Sequence, residues 1–319
     1  MDKIDKKIAK ELLLNSRIPL NRLARKIKVS REVVLYRLNR MIRGKVIKNL
    51  YTTVNTQAIG FLRYTCFFQL KNVTKEKEAE IFEFFVNHKA ITYIGPLVGR
   101  WNFAFDMLAK DRSQLNEFIK AILSKFFQYI KKYVIIETTT EEEVYPNKLI
   151  GVKSSFKANP STDKTFKLDS KDKKILRLLA NNSRIDYVEL AKEIGMSANA
   201  IRYKIREMER NGIISGYTIW LDFRKLGLRC YNLQIKVTNP DIENKLRAFI
   251  REDSRALYFY KYIGNENWDM DIGIIVEDEL KLGEFLLELR DLFGEAVEFN
   301  DLYIILEERK PYPPAIVFE

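Results

Sequence analysis

The sequence repeats itself once, at an offset of 167 residues, and this repeat limits what the chain can fold into. Shifted by that distance, Asn15-Ser16-Arg17-Ile18 falls on Asn182-Ser183-Arg184-Ile185 without a gap. The same register aligns Leu23 with Leu190, Ser30 with Ser197, Gly60 with Gly227, Trp101 with Trp268, Phe126 with Phe293 and Tyr145-Pro146 with Tyr312-Pro313. Solenoid repeats are roughly 20 to 50 residues long, so this period is too long for a solenoid. We therefore predict a tandem duplication of a complete multi-domain unit.

The composition is that of a folded protein. Hydrophobic residues make up 46% of the 319 residues, which is enough chain for several domains with real cores. No apolar stretch approaches the roughly 20 residues of a membrane helix, and the N-terminus alternates charges where a signal peptide would be apolar. We therefore expect a cytoplasmic protein. Cys66 and Cys230 stand in unrelated contexts and are predicted as buried strand residues, with no disulfide framework, metal site or cofactor.

Each unit begins with a pattern typical of a helix-turn-helix domain. In the second unit a short helix ends at Gly195, Ser197 can cap the next helix, and Gly212 closes it. The inward positions of that helix are Ile201, Ile205 and Met208, and those of its counterpart are Val34, Leu38 and Met41. In such a domain the second helix of the pair enters the major groove of DNA. The segments that begin at Val46-Ile47 and Ile213-Ile214 are interpreted as a small β wing or a connecting strand.

Positive charge is concentrated in the same two segments. Residues 1–50 carry 15 Lys and Arg against 4 Asp and Glu, and residues 171–220 carry 10 against 6. Residues 51–150 are nearly balanced, at 13 against 11, whereas residues 221–319 are acidic, at 13 against 20. A solvated surface could explain one basic segment. Positive excess that recurs in both helical segments favours a polyanion, and double-stranded DNA is the predicted partner.

The outward face of each recognition helix supplies candidates for two kinds of DNA contact. Arg and Asn can read guanine and adenine edges through paired hydrogen bonds, whereas other basic residues bind phosphates without reading sequence. The base-contact candidates are Arg31, Glu32, Leu35, Asn39, Ala198, Asn199, Arg202 and Arg206. The phosphate candidates are Arg25, Lys26, Lys28, Arg37, Arg40, Arg43, Lys192, Lys204 and Arg210.

These segments resemble the heads of the Lrp/AsnC (feast/famine) transcription regulators. The second segment matches the family pattern at Ser197, Ile201, Lys204, Met208, Gly212, Ile213 and Ile214, and the first at Ser30, Val34, Arg37, Met41, Val46 and Ile47. The first segment departs from the pattern because Lys45 stands where the family has Gly, and Gly44 comes one position early. The resemblance covers most of the chain and implies a sequence-specific DNA-binding regulator.

After each head, the order of apolar and amphipathic segments is strand, helix, strand, strand, helix, strand. This order predicts a ferredoxin-like βαββαβ domain, so the fold class is α+β with two heads and two such domains. The predicted domains are a helix-turn-helix head at 1–55, a sensor at 61–150, an exposed linker at 151–168, a second head at 169–222 and a second sensor at 228–319. The resemblance implies that the sensors bind an amino acid or other small effector and join copies of the chain into a homodimer or larger oligomer.

The turns between the second and third strands of each sensor are the candidate effector sites. Glycines there could let a ligand approach the backbone, and carboxylate or amide side chains could bind an amino group. The candidates are Gly95, Gly99, Asn102, Asp106, Gly264, Asp269 and Asp271. The alternative is that these are ordinary hairpin turns, each with a core tryptophan, Trp101 or Trp268.

Two other classes of function compete with a regulator. The same layout of heads and sensors resembles siroheme decarboxylases, some of which are also tandem fusions. Proton transfer on a tetrapyrrole would be expected to use histidines, and the chain has one, His88, which we predict at an exposed helix end. No nucleotide-binding, metalloprotease or hydrolase motif is present, so we expect no enzyme. A protein-binding scaffold would explain the sensors but leave the basic heads without a role.

Overall fold

The protein is described by a computed structural model over residues 1–143, 157–158, 165–307, 309 and 315–318. Tyr145-Pro146, Tyr312-Pro313 and most of the predicted linker lie outside the described residues. Within these ranges, no helix combines the length and the apolar character needed to cross a lipid bilayer.

The two units have the same order of elements. The first contains α1 (Lys3–Leu14), α2 (Leu20–Ile27), α3 (Arg31–Arg43), β1 (Ile47–Val54), β2 (Leu62–Leu70), α4 (Lys75–Asn87), β3 (Ile91–Val98), β4 (Phe103–Ala109), α5 (Arg112–Phe126) and β5 (Ile130–Glu143). After β6 (Lys157–Ala158), the second contains α6 (Ser170–Asn181), α7 (Tyr187–Ile194), α8 (Ala198–Arg210), β7 (Ile214–Leu221), β8 (Arg229–Val237), α9 (Glu243–Glu252), β9 (Ala256–Ile263), β10 (Met270–Val276), α10 (Glu279–Phe293) and β11 (Val297–Ile305). The predicted fold class is confirmed: each unit is a helix-turn-helix head followed by a βαββαβ sensor.

The recognition helices α3 and α8 begin at the predicted serines. Ser30 accepts a hydrogen bond from the backbone N–H of Val33, and Ser197 accepts one from Ala200. Each hydroxyl thereby satisfies one of the amide groups that a helix N-terminus leaves unpaired.

Two turns of the first head contain lysine where the second head has glycine. Lys28 and Lys45 adopt left-handed φ angles of 60° and 53°, and their equivalents Gly195 and Gly212 have φ angles of 72° and 68°. The closing turn of the first head is therefore formed despite the missing glycine. Since a left-handed conformation costs a residue with a Cβ roughly 1–2 kcal/mol, the first head carries backbone strain that the second avoids.

The segment after each head is a connecting strand that pairs with the same strand of the other head. β1 and β7 are antiparallel, and Tyr51 lies opposite its own equivalent, Thr218. Equivalent residues face each other in an antiparallel pair when a two-fold axis runs between them. The heads are thus related by a pseudo-two-fold axis through this strand pair, and the alternative of a separate β wing does not apply.

Each head completes the core of the other. Ile219 and Leu221 of β7 pack into the core of the first head, and Val54 of β1 packs into the core of the second. The Thr218 hydroxyl donates a hydrogen bond to the Leu13 carbonyl at 2.9 Å. Because buried apolar groups from both units fill each core, the two heads form one packed body.

The two sensors join into a closed eight-stranded sheet. The strands follow the order β2-β4-β3-β11-β8-β10-β9-β5, and β5 pairs again with β2. Each sensor contributes four adjacent strands, so its two edge strands are covered by those of the other sensor. Helices α4 and α5 cover one half of the outer face, and α9 and α10 cover the other. Residues of both sensors fill the interior.

The two seams of the closed sheet differ in register. Ile305 of β11 pairs with Leu97 of β3. Thr138 is the equivalent of Ile305, yet it pairs with Tyr262, two residues before Gly264, the equivalent of Leu97. The sensor pair therefore departs from the two-fold symmetry of the heads. A shift of two residues keeps the same side chains inside the sheet.

Three individual predictions have clear outcomes. Cys66 and Cys230 are buried strand residues without a disulfide, as predicted. Trp101 and Trp268 are both buried inside the closed sheet, with ring centroids 6.5 Å apart. The expectation for His88 is wrong, since it is half-buried against the Phe118 ring and its Nδ1 accepts a hydrogen bond from the Ala90 amide. A histidine at a helix end was assumed to face solvent, but the Phe118 side chain of α5 packs against its ring.

The linker prediction is also partly wrong. Residues 157–158 form β6, which pairs with the end of β5. The Phe166 amide donates a hydrogen bond to the Ala58 carbonyl at 2.7 Å, and Phe166 and Leu168 pack against the core of the second head. The polar composition of the segment concealed these two anchoring side chains.

Candidate DNA-binding surface and sensor interior

The base-contact candidates lie on the outward faces of α3 and α8, with one exception. Arg31, Glu32, Leu35, Asn39, Asn199, Arg202 and Arg206 are exposed, whereas Ala198 is half-buried. The guanidinium of Arg202 lies 5.2 Å from the ring centroid of Tyr187 on α7, in cation–π contact. This contact holds Arg202 near the N-terminal part of its helix, where helix-turn-helix domains contact base edges.

The phosphate candidates divide into exposed cations and cations with partners in the chain. The exposed ones are Arg25, Lys26, Lys28, Arg40, Arg43, Lys192 and Arg210. Among these, Lys26 pairs with Glu11 at 2.6 Å and Arg40 with Asp5 at 2.6 Å. Both cations are exposed, whereas Glu11 and Asp5 are largely buried, with 14% and 4% of their side-chain surface exposed.

Arg37 and Lys204, which are equivalent, are half-buried and fasten the recognition helix to the first helix of the head, as Arg40 also does through Asp5. Arg37 binds Asp2 and Asp5, and Lys204 bonds Asp169 and Asp172 at 2.8 Å each. These aspartates form the capping boxes of α1 and α6, whose N-termini also favour negative charge. The hydrogen bond from Arg37 lowers the pKa of Asp2 to about 2, and that from Lys204 lowers the pKa of Asp169 to about 2. This geometry favours positioning of the helix over direct phosphate binding.

Two exposed tyrosines on the same faces were not among the candidates. Tyr36 and Tyr203 are equivalent residues of α3 and α8, with 61% and 65% of their surface exposed. An aromatic side chain that is exposed on both recognition helices adds to the contact surface, since tyrosine hydroxyls commonly bind DNA phosphates. The sequence could have identified these two tyrosines, because the repeat aligns Tyr36 with Tyr203.

The repeated Asn-Ser-Arg-Ile motif holds the heads together. The hydroxyls of Ser16 and Ser183 are 2.6 Å apart. Arg17 donates to the carbonyls of Ser183 and Ile185, and Arg184 donates to those of Ser16 and Ile18, at 2.6 to 3.2 Å. Burial, and then the nearby Arg17 charge, lower the pKa of Arg184. The motif served only to detect the repeat, and its role in the contact between the heads was not predicted.

The interior of the closed sheet holds two of the effector candidates. Asp106 accepts hydrogen bonds from Arg63 and Thr65 at 2.7 Å each. Asp271 accepts from Tyr262 at 3.0 Å and from Tyr303 at 3.4 Å. Burial raises the pKa of Asp271 to about 7, although these hydrogen bonds oppose the rise. The two carboxylates are not equivalent, because Gly273 and Ala104 stand at the positions that match them in the repeat.

Of the other effector candidates, Gly95 lies within β3, and Gly99, Asn102, Gly264 and Asp269 lie between strands. Asn102 and Asp269 are equivalent, and each accepts a hydrogen bond from a strand amide, that of Leu70 or Val237. A Cβ at Gly95 or Gly99 would come within about 3 Å of the β11 segment, at Glu307 or Tyr303, and Gly264 has a φ of 91°. These five residues therefore lie apart from the interior carboxylates. Their contacts fit the alternative interpretation, in which this region is an ordinary hairpin with a buried tryptophan.

Further buried polar groups lie in the interior of the closed sheet. Among the described residues, the Asp271 Oδ1 atom, the Gln234 Nε2 atom and the indole nitrogens of Trp101 and Trp268 have no hydrogen-bond partner. Asp271 lies directly opposite Gln234 on the neighbouring strand. Buried polar groups are normally paired, so this part of the interior has donors and an acceptor to offer to a small polar molecule.

Comparison with known proteins agrees with the geometry of the heads. The family model described as "AsnC-type helix-turn-helix domain" matches residues 1–42, and that described as "Winged helix-turn-helix DNA-binding" matches residues 168–215. An uncharacterized HTH-type transcriptional regulator of Pyrococcus furiosus is 39% identical over 145 residues, which cover 44% of this chain and 93% of that protein. The HTH-type transcriptional regulator LrpA of Pyrococcus horikoshii is 36% identical over 95 residues, which cover 28% of this chain and 66% of LrpA.

Two solved structures of a siroheme decarboxylase resemble the whole tandem arrangement. The siroheme decarboxylase NirDL superposes with a TM-score of 0.66 over 99% of this chain and 96% of its own, at 13% identity. Identity this low establishes a common fold and leaves the chemistry open. The match to the Pyrococcus furiosus regulator and the AsnC-type head decide the family: this chain belongs to the Lrp/AsnC family of transcription regulators.

Proposed function

We propose that one chain presents both heads to a single DNA duplex, as two subunits of an ordinary dimeric regulator would. The observation that carries this proposal is the pseudo-two-fold pairing of the heads, in which Tyr51 faces Thr218 and Ser16 contacts Ser183. A two-fold relation between recognition helices matches two inverted half-sites about one helical turn, or a multiple of it, apart.

The two half-sites should differ in sequence. Arg31, Glu32, Leu35 and Asn39 of the first head are replaced in the second by Ala198, Asn199, Arg202 and Arg206, respectively. All four pairs differ in their hydrogen-bonding groups, so the two helices read different base edges. The first head is also more basic and should contribute more of the salt-dependent affinity.

We infer further that a small polar effector acts through the sensors. The unpartnered Oδ1 atom of Asp271 and Nε2 atom of Gln234, on neighbouring strands, support a site inside the closed sheet, whose interior is lined by both sensors. An amino acid would fit this chemistry, since its ammonium group can pair with a carboxylate and its carboxylate can accept hydrogen bonds. This proposal moves the effector from the turns to the interior, with Asp271 as its main contact.

A catalytic role is not proposed. The only histidine, His88, packs beneath α5 on the outer face of the sheet, away from the interior carboxylates. Mixing the protein with an iron-containing tetrapyrrole should leave the visible spectrum of the tetrapyrrole unchanged, whereas spectral conversion would favour an enzyme.

The proposal is tested by fluorescence anisotropy with the protein's own promoter fragment and a scrambled duplex, from about 50 to 300 mM salt. We expect the promoter to bind at least about a hundredfold more tightly, with affinity falling steeply in salt. Arg31→Ala and Arg202→Ala should each weaken promoter binding and abolish footprint protection of a different half-site. Lys132→Ala removes the same charge from an exposed sensor position and serves as the matched control.

Two results would contradict the proposal. One is failure to bind either duplex at low salt with every effector tested. The other is protection of a perfectly symmetric palindrome by one chain, with both arginine variants affecting both half-sites equally.

A further inference from the structure

The outward faces of α3 and α8 each carry one exposed tyrosine at their centre. Tyr36 lies midway between Val34 and Leu38, which are both buried in the core of the first head. Successive residues of a helix turn by about 100°, so a residue midway between two inward positions points away from the core. Tyr203 occupies the equivalent position of α8. Both rings therefore stand at the centre of the face that a helix-turn-helix domain turns toward DNA.

Neither tyrosine has a partner within the described part of the chain. Among the described tyrosines, Tyr36 and Tyr203 are the most exposed. Neither hydroxyl forms a hydrogen bond with a described residue, and neither ring contacts a described aromatic ring or cation. The two side chains thus add little to the packing of the heads, and both are free to meet a partner.

The duplication sets these tyrosines apart from the rest of the outward face. Between α3 and α8, three positions are identical: Tyr36 and Tyr203, Met41 and Met208, and Arg43 and Arg210. The methionines are buried in the cores of the heads, which accounts for their identity. The arginines are phosphate candidates, and a phosphate contact does not depend on base sequence. The tyrosine is the remaining outward side chain that both recognition helices share.

Base-contact candidates stand on both sides of the tyrosine in each helix. In α3, Glu32 and Asn39 lie about one turn before and one turn after Tyr36. In α8, the same two places hold Asn199 and Arg206. A helix in the major groove presents the centre of its outward face to base edges, whereas the phosphates border the groove. We therefore expect the tyrosine ring to meet base edges.

The chemistry of the ring favours one base. Guanine, adenine and cytosine present hydrogen-bonding groups on their major-groove edges, whereas thymine also presents a C5-methyl group. Apolar side chains contact that methyl, and a tyrosine ring offers a large, rigid apolar surface with its polar group confined to the tip. The thymine methyl is the apolar group that the major groove of duplex DNA offers to such a ring.

We propose that Tyr36 and Tyr203 each pack against the C5-methyl group of one thymine, at the same position of the two half-sites. The inference rests on the proposed function. Because the heads are related by a pseudo-two-fold axis, the two thymines lie on opposite strands at equal distances from the centre of the site. The neighbouring base pairs are read by unlike residues. The predicted operator is therefore asymmetric overall but contains one inverted pair of thymines.

Replacement of single thymines by deoxyuridine tests the proposal, because uracil lacks only the methyl group and still pairs with adenine. The probe is the protein's own promoter fragment, in which each thymine of the footprint is replaced in turn and binding is measured by fluorescence anisotropy. The wild type should lose about three- to tenfold in affinity at one thymine of each half-site, since one methyl contact is removed. These two thymines should occupy mirror-related positions.

Variants of the two tyrosines assign the effect to its side chain. Tyr36→Ala should abolish the uracil effect at the thymine of its own half-site and leave the effect at the other, and Tyr203→Ala should do the reverse. Each variant is thus the matched control for the other, and both should melt at the wild-type temperature because the side chains are exposed. Tyr36→Phe and Tyr203→Phe should keep the effect, since they retain the ring.

Failure of this inference can be told from failure of the proposed function. If the unmodified promoter does not bind, the proposed function fails. If the promoter binds but tolerates uracil at every thymine, or if the uracil effect survives in both alanine variants, the tyrosine–thymine contact is wrong. Loss of the effect in the phenylalanine variants would also overturn it, because the hydroxyl and not the ring would then make the contact.

Discussion

The hydroxyls of Ser16 and Ser183 are 2.6 Å apart, although the two residues are separated by 167 positions in the sequence. They are equivalent residues of the two heads, so the contact lies on the pseudo-two-fold axis. Around it, the arginine that follows each serine donates to backbone carbonyls of the opposite head. Because the duplication places both serines in one chain, the strength of this contact does not depend on protein concentration.

The first prediction concerns this contact. Arg184→Ala should lower the free energy of unfolding of the heads by about 2 kcal/mol, because it leaves the carbonyls of Ser16 and Ile18 without their charged donor. Hydrogen exchange of the β1–β7 amides should speed up by a corresponding factor, while exchange in the sensor strands stays unchanged. Arg177→Ala, on the adjacent helix α6, is the control. Equal protection of β1–β7 in both variants would show that the strand pair alone holds the heads.

The second prediction separates stability from DNA binding in the first head. Lys28→Gly should stabilise that head by about 1 kcal/mol, because it removes left-handed backbone strain. The same change should weaken DNA binding and reduce the salt slope by roughly one, because it removes a candidate phosphate contact. Thermal unfolding and salt-dependent anisotropy measure the two effects.

Gly195→Lys is the reverse change at the equivalent position of the second head, and it should destabilise that head. If Lys28→Gly leaves the salt slope unchanged, Lys28 does not contact phosphate. If it destabilises the head, the left-handed turn is not strained.

The third prediction concerns the base-contact candidates. Arg206→Ala should cost about 1–3 kcal/mol of binding to the preferred half-site and relax specificity at one or two base positions. Lys192→Ala should weaken binding to all sequences alike, since a phosphate contact carries no sequence information. Binding selections with randomised half-sites distinguish the two outcomes. Equal loss of specificity in both variants would reverse the assignment of these residues.

The duplication, the fold class and the recognition helices could be predicted because they depend on local patterns. Helix caps such as Ser30 and Ser197, inward apolar stripes and the repeat itself can all be recognised from the sequence alone. The pairing partners of a strand cannot be recognised in this way. That β1 pairs with β7, and that β5 and β3 complete the other sensor's sheet, depends on contacts between residues far apart in sequence.

The same limit applies to the candidate sites. Asn102 and Asp106 are four residues apart and both looked suited to a ligand, yet one supports a strand amide and the other lies inside the closed sheet. Arg37 looked like a free cation until the fold brought Asp2 and Asp5 beside it. A spacing pattern shows which face of an element a side chain occupies, but only the packed structure shows what occupies the space opposite.

The last prediction concerns pH and Asp271. Its pKa is raised by burial from an ordinary value of 3.8 to about 7, so the folded protein keeps a proton that the unfolded chain releases. Below pH 4 both states are protonated and this carboxyl costs nothing. As pH rises from about 4 to about 7 its contribution should destabilise the fold progressively, by up to about 4 kcal/mol, and level off above pH 7.

Urea unfolding of the wild type and of Asp271→Asn across this range provides the measurement. The variant should lose the slope between pH 4 and 7 and be the more stable protein at pH 8, because an amide carries no charge to bury. Asp269→Asn is the matched control for the loss of a carboxylate, since the equivalent position 102 is already Asn. The carboxylates of Asp2 and Asp169 act in the opposite sense, because their pKa values are lowered to about 2, and the stability they contribute is lost only as pH falls below about 4. An Asp271→Asn slope identical to that of the wild type would show that this carboxyl is ionised in the folded protein.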